Sequence, residues 1–435
     1  MKKLIFVLIA ALSLSCASYA QMTEKELKKA TKTAQKQVKE AQKEMDRDDI
    51  EDKRHAKQLI DEAMKNPLLK DWDQTWYVAA RVYMHFYDQE NRKSYQNTPY
   101  DTVGLFNYLT KWYEYDIIAD SLQQIPNEKG KTSDEVKKTH ASDIYRTFSD
   151  FVKGGIFYYN KHDYAKAYEM FDNYFKMSVN PLIKDYTDKD TIFQANKAYY
   201  AYYPALAASV LENWNNVIKY ASTAMEDEEN GEPATELMCD SYISLGDTVK
   251  WLETLRHGMF KYPTTDYYWG RLVNYYDRKN DMESLEKLAE EMIEINPEKA
   301  YNYYILGLIA QQSKNYDKAI KQYEIAIEKD PTLTEAYNNL GLTILTQADE
   351  YVASKEPTNP KSLSSYYRSA DYKKVLAEQK EYYKRALPYF LKMRELEPGA
   401  VSKWGFLLDR VYYILDMSKE MNEVEARMKE AGITE

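Results

Sequence analysis

The residues best suited to metal ligation or proton transfer are five histidines, His55, His85, His140, His162 and His257. Their spacing defeats both uses. None forms an H-x-x-x-H pair and none has a cysteine beside it, so zinc ligation is not expected. The acidic run Glu226-Asp227-Glu228-Glu229 falls between repeating segments and reads as a solvated loop. Nothing sets two carboxylates across a cleft, as glycoside hydrolysis would require. No Walker-type loop, G-x-G-x-x-G or G-x-S-x-G occurs, and Gly154-Gly155 lies inside a helical pattern where close packing explains it. The expected catalytic, metal and cofactor sites are therefore none, and the chain is not expected to be an enzyme. With a net charge of −10, and with Lys28-Lys29 and Lys373-Lys374 interleaved with acids, nucleic acid is not an expected partner.

Tyrosine is the residue type left with functional promise: 42 of them stand against 12 phenylalanines. A tyrosine offers contact area and a hydroxyl at small entropic cost, which suits recognition of a peptide or a glycan. Which tyrosines are free to recognise anything depends on the helices that carry them.

Those helices are set by a period. Pro263, Pro297 and Pro331 stand 34 residues apart, and Pro398 follows after a further unit interrupted by an insertion. Frames start at Phe148, Ala198, Glu232, Asp266, Ala300 and Thr334. In the clearest frame, Tyr303, Leu306 and Gly307 precede Ala319, Tyr323, Ala326 and Pro331. The next holds Tyr337, Leu340 and Gly341, then Ala386, Phe390, Met393 and Pro398. This register resembles the tetratricopeptide (TPR) repeat, W-x₂-L-G-x₂-Y, then A-x₃-F, then P.

Each position has a physical reason. Two antiparallel helices that cross closely need small residues there, supplied by Gly155, Ala205, Gly307 and Gly341 on first helices and by Ala167, Ala319 and Ala386 on second helices. Cys239 takes the same crossing position and reads as packing, not as a reactive thiol. Trp269, Tyr303, Tyr337 and Trp404 should plug the gaps between neighbours. Proline ends each second helix. One helical pair cannot bury its apolar face, so stacking must supply the core.

The resemblance implies an all-α fold, a right-handed superhelical solenoid of antiparallel helix pairs, with a helical-hairpin insertion in a late repeat. It also implies that first helices line a concave surface. The tyrosines expected to remain exposed there are Tyr77, Tyr159, Tyr199, Tyr202, Tyr267, Tyr301, Tyr304, Tyr412 and Tyr413. In Tyr303-Tyr304 the first is expected to pack and the second to face a ligand. The function so implied is protein–protein interaction through a tyrosine-rich groove. A glycan-binding component of a cell-envelope uptake system is the alternative.

The chain divides by pattern into a signal segment at 1–20, an N-terminal cap with divergent repeats at 21–147, a repeat array at 148–400 and capping helices at 401–435. Lys2 and Lys3, an apolar run and the small-residue site Ser18-Tyr19-Ala20 have the layout of a secretory signal. Export with cleavage before Gln21 is expected, to the periplasm first, with a lipid anchor at Cys16 or secretion as alternatives. No other segment reaches transmembrane length. Residues 180–195, rich in Asp and Lys, read as a solvated loop. The array insertion, about 346–378, has a tip at Pro357 and Pro360 and reads as a lengthened helical hairpin.

Overall fold

A computed structural model of the protein describes residues 23–127 and 129–433. The signal segment, Cys16 and Gln21 lie outside the described residues. Within them every regular element is helical, with 21 α-helices and no strand. None of these helices is long and apolar enough to cross a membrane.

The chain divides into two compact units, Met1–Trp251 and Leu252–Glu435. The first holds α1 (Glu24–Met45), α2 (Ile50–Ala63), α3 (Asp73–Tyr95), α4 (Thr102–Gln123), α5 (Glu135–Thr147), α6 (Asp150–Asn160), α7 (Tyr164–Ser178), the short α8 (Lys184–Thr187), α9 (Thr191–Val210), α10 (Trp214–Ala224) and α11 (Gly231–Ser244). The division falls within α12 (Thr248–Lys261). The second unit continues with α13 (Asp266–Arg278), α14 (Met282–Ile295), α15 (Ala300–Gln312), α16 (Tyr316–Lys329), α17 (Thr334–Lys355), the short α18 (Leu363–Tyr366), α19 (Ala370–Leu396), α20 (Val401–Ile414) and α21 (Ser418–Glu430).

Consecutive helices pair. α3 packs on α4, α6 on α7, α9 on α10, α15 on α16, α17 on α19 and α20 on α21. The crossings are tight where small residues were expected. Ala167, Ala205, Ala319 and Ala386 are fully buried, as is Cys239. A Cβ on Gly155 would run into the Phe171 ring, one on Gly307 into Tyr323 and one on Gly341 into Phe390. Each of Pro263, Pro297, Pro331 and Pro398 stands just beyond the end of a second helix, at Lys261, Ile295, Lys329 and Leu396 respectively. The late insertion is helical: α17 runs 22 residues and α19 runs 27, and they pack as one hairpin.

The turn inside most pairs follows a rule that the sequence alone did not suggest. In six of the pairs one turn residue adopts positive φ: His162, Glu212, Gly246, Asn280, Lys314 and Asp416. Glu212, Gly246, Asn280 and Lys314 are spaced by the repeat period. The next backbone N–H returns to the first helix, as in Asn213 to Ala208 (2.9 Å), Asp247 to Tyr242 (2.9 Å), Asp281 to Tyr276 (2.9 Å) and Asn315 to Ala310 (2.8 Å). This is a helix-terminating left-handed turn. Its following residue then starts the second helix: Asp163, Asp247, Asp281 and Asn315 accept N–H bonds from Lys166, Lys250, Ser284 and Lys318.

Residues 180–195 are not a solvated loop. Leu182, Ile183, Thr187 and Phe193 are buried, and the Thr187 hydroxyl donates to the Ser178 carbonyl (2.6 Å). Four apolar or capped side chains among the Asp and Lys residues are enough to fold the segment onto α7. The charged residues are the outer face of a packed insertion.

Candidate functional site

The first unit carries Tyr159 on α6 and Tyr199, Tyr202 and Tyr203 on α9. Tyr159 and Tyr202 are half-buried. Burial raises both hydroxyls, with Tyr164 adding to the first, and Tyr159 and Glu236 adding to the second. Tyr199 accepts the Tyr203 hydroxyl (2.8 Å) and packs edge-on to both Tyr200 and Tyr203. These rings form one aromatic surface on the first helices of two adjoining repeats.

In the second unit Tyr267 on α13 lies beneath the Arg271 guanidinium, 3.6 Å from ring centroid to Cζ. Tyr301 and Tyr304 on α15 sit with centroids 5.5 Å apart. Tyr301 is 42% exposed, and Tyr304 is half-buried and accepts Asn339 Nδ2 from α17 (3.0 Å). That bond ties the first helices of two successive repeats into one face.

Other expected site residues fall elsewhere. Tyr77 is buried at 7%, stacked on His140 at 5.0 Å with its ring 7° from parallel. Tyr412 is buried at 3%, whereas its neighbour Tyr413 is 69% exposed. Neither Tyr77 nor Tyr412 lines an open surface: α5 covers the first, and the second belongs to the core shared with α21. The Tyr303-Tyr304 doublet also departs from expectation. Tyr303 is half-buried, its hydroxyl donating to the Pro297 carbonyl (3.1 Å), while Tyr304 packs against the core ring Tyr323.

Two of the expected plugs, Tyr303 and Trp404, share a further device with Trp76 on α3. Trp76 Nε1 donates to the Lys70 carbonyl (2.8 Å) and Trp404 Nε1 to that of Glu397 (3.0 Å), as Tyr303 does to Pro297. Each pins a first helix to the segment before it. Trp269 breaks the pattern, since its buried N–H has no acceptor among the described residues. Also among these residues, no three His, Cys, Asp or Glu side chains converge as metal ligands. His140 is instead a core residue, its Nδ1 2.7 Å from Asp116, whose carboxylate also accepts Trp112 Nε1 (2.7 Å). Burial raises the Asp116 carboxyl against the opposing pull of these two partners.

Residues 311–347 match the family model of the TPR repeat, across the end of one helix pair and the start of the next. The chain therefore carries a TPR repeat there. Solved structures similar to it include a TPR repeats protein from Bacteroides fragilis, at 16% identity over 64% of this chain and 98% of that one, with a TM-score of 0.30. Others are YrrB, described as a TPR protein with an unusual peptide-binding site (14%, 49% and 93%, 0.29), and the TPR2AB domain of yeast Sti1 in a pHSP90 complex (17%, 62% and 99%, 0.23). No curated protein matches the chain. Tyr267, Tyr301 and Tyr304 all lie on first helices, and of the three only Tyr301 is exposed. The missed signal was the carbonyl six or seven residues before Trp76, Tyr303 and Trp404, to which each of these side chains donates.

Proposed function

We propose that this protein is an exported, non-catalytic scaffold that binds an extended segment of a partner protein on its first-helix tyrosine surfaces. Repeat arrays of this kind expose long surfaces suited to such segments. The observation that carries the reading is Tyr301, a large aromatic held 42% exposed beside Tyr304, which itself accepts Asn339 Nδ2 from the next repeat. A side chain kept open on a face that its neighbours make rigid offers contact area without an ordering cost. Export rests on the charge, apolar and small-residue layout of residues 1–20.

The experiment is retention of envelope proteins by the immobilised chain, compared with a Tyr267→Ala, Tyr301→Ala variant of unchanged melting temperature. Loss of the same retained proteins in the variant, and not in an Ile192→Ala control on another exposed site, supports the reading. Equal retention by all three removes the tyrosine surface from the function. Intact-mass measurement of the exported protein tests its start at Gln21.

A further inference from the structure

The repeat period exposes a difference between Tyr267 and Tyr301. The two occupy the same frame position, 34 residues apart, and the third frame places Glu335 there. Tyr267 has a cation on its ring, the Arg271 guanidinium at 3.6 Å. The residue that corresponds to Arg271 one frame later is Ile305, buried at 4%. Tyr301 therefore presents the same ring without a cation from its own helix, and no cation lies over it among the described residues.

The surroundings of Tyr301 are acidic. A cavity of about 680 Å³ at its foot is lined by Asp266, Glu298, Asp330, Lys299 and Lys329 among others. Both lysines are already engaged, Lys299 with Asp266 and Lys329 with Glu298 (2.7 Å). Asp330 accepts the Thr332 N–H and hydroxyl and has no ion-pair partner among the described residues. Glu335 is exposed and meets the Thr334 hydroxyl at 3.3 Å, while nearby Lys403 is held by Glu397 (2.5 Å). After burial, the charges of Glu335 and Asp266 are what raise the Tyr301 hydroxyl.

We propose that this face takes a basic partner segment, an arginine or lysine seated on the Tyr301 ring with its charge toward Glu335 and Asp330. The inference rests on the scaffold reading and adds the chemistry of the partner. An aromatic face attracts a cation through its quadrupole, more so where water is partly displaced. Carboxylates that lack a cation of their own add the direction, and they disfavour an acidic segment at the same place. Arg271 on Tyr267 is the arrangement already made within the chain.

The test uses the exported protein and two labelled, unstructured peptides of equal length, one of Arg-Gly-Ser repeats and one of Glu-Gly-Ser repeats. Fluorescence anisotropy is read at about 0.15 M salt, where long-range attraction between exposed charges is screened. The arginine peptide is expected to bind, with affinity lowered about tenfold by Tyr301→Ala and at least as much by Glu335→Lys, but retained by Tyr301→Phe, which keeps the ring. Tyr301→Phe and Glu335→Lys also keep the test decisive should Tyr301→Ala melt early. No binding of the arginine peptide, or binding indifferent to both Tyr301→Phe and Glu335→Lys and equally to Tyr301→Ala, overturns the inference. If the glutamate peptide binds instead and is lost in Tyr301→Ala, the basic assignment fails while the scaffold reading stands.

Discussion

The Tyr220 hydroxyl donates to the carboxylate of Asp172, joining the second helices of two repeats, α10 and α7. Asp172 is 6% exposed and also accepts Lys176 (2.6 Å) and Lys219 (2.9 Å). Burial alone would raise its pKa, but the bonds from Lys176, Tyr220 and Lys219 outweigh it, so the group sits below the ordinary aspartate value of 3.8. A carboxylate depressed in the folded state adds stability that is fully present above that ordinary value and is lost as pH falls through the lower, folded one.

Asp172→Asn should therefore cost about 1–3 kcal/mol near neutral pH, since it removes the charge that Tyr168, Lys176, Lys219 and Tyr220 share. The difference in melting temperature between wild type and variant should shrink below pH 3.8. A difference that stays constant down to the acid limit would mean that the charge of Asp172 adds nothing to folding.

The left-handed turns give a second expectation. Lys314 has φ +56° at the position where the preceding frame but one has Gly246 at +74°. A side chain at such φ is strained, whereas glycine is not. Lys314→Gly should gain up to about 1 kcal/mol after allowance for the greater freedom of unfolded glycine, and Gly246→Ala should lose a similar amount. Denaturant titration of both variants reads the opposite signs directly.

The fold was legible because close packing fixes residue size. Gly307 opposite Tyr323, or a proline just past a helix end, is a requirement of one helix pair and is written every 34 residues. What covers a helix from outside its own pair is not written that way. Tyr77 looks like an open first-helix tyrosine until His140, far along the chain, stacks on it. Tyr412 and Tyr413 differ by about 100° around one helix, and only α21 decides which of the two is buried. The period placed the candidate tyrosines on first helices but could not tell which faces the divergent repeats and the cap would cover.

Adjacent tyrosines thus make a third test. Tyr412→Ala should cost about 3–5 kcal/mol as a buried aromatic truncation. Tyr413→Ala should stay within about 0.5 kcal/mol of wild type. Thermal melting separates them, and equal shifts would place α21 incorrectly against α20.

Trp404 and Trp269 make a fourth. Replacing either by Phe removes ring volume, but only at Trp404 does it also strip a hydrogen bond, the one to the Glu397 carbonyl. At Trp269 it removes a buried donor that has no acceptor among the described residues. Trp404→Phe should exceed Trp269→Phe in cost by about 1 kcal/mol or more, because an unmatched buried N–H is itself unfavourable. Equal costs in chemical denaturation would show that the Trp269 N–H finds an acceptor in solution.

The last expectation concerns two helical glycines that look alike in sequence. A Cβ on Gly270 would meet nothing within 4 Å, whereas one on Gly307 would collide with the ring of Tyr323. That ring is fully buried and its hydroxyl donates to Gln311 Oε1 (2.7 Å), so it cannot swing aside without losing its bond. Alanine in an open helical site gains about 1 kcal/mol over glycine. At Gly307 the same gain is set against overpacking of roughly 1–3 kcal/mol. Gly270→Ala should therefore stabilise and Gly307→Ala destabilise. Tyr323→Leu, which withdraws the ring, should make Gly307→Ala favourable again, so the two changes together cost less than the sum of their separate costs. A Gly307→Ala variant as stable as Gly270→Ala would mean that α15 and α16 do not approach closely at this crossing, and the small-residue rule that organises every repeat would lose its physical basis.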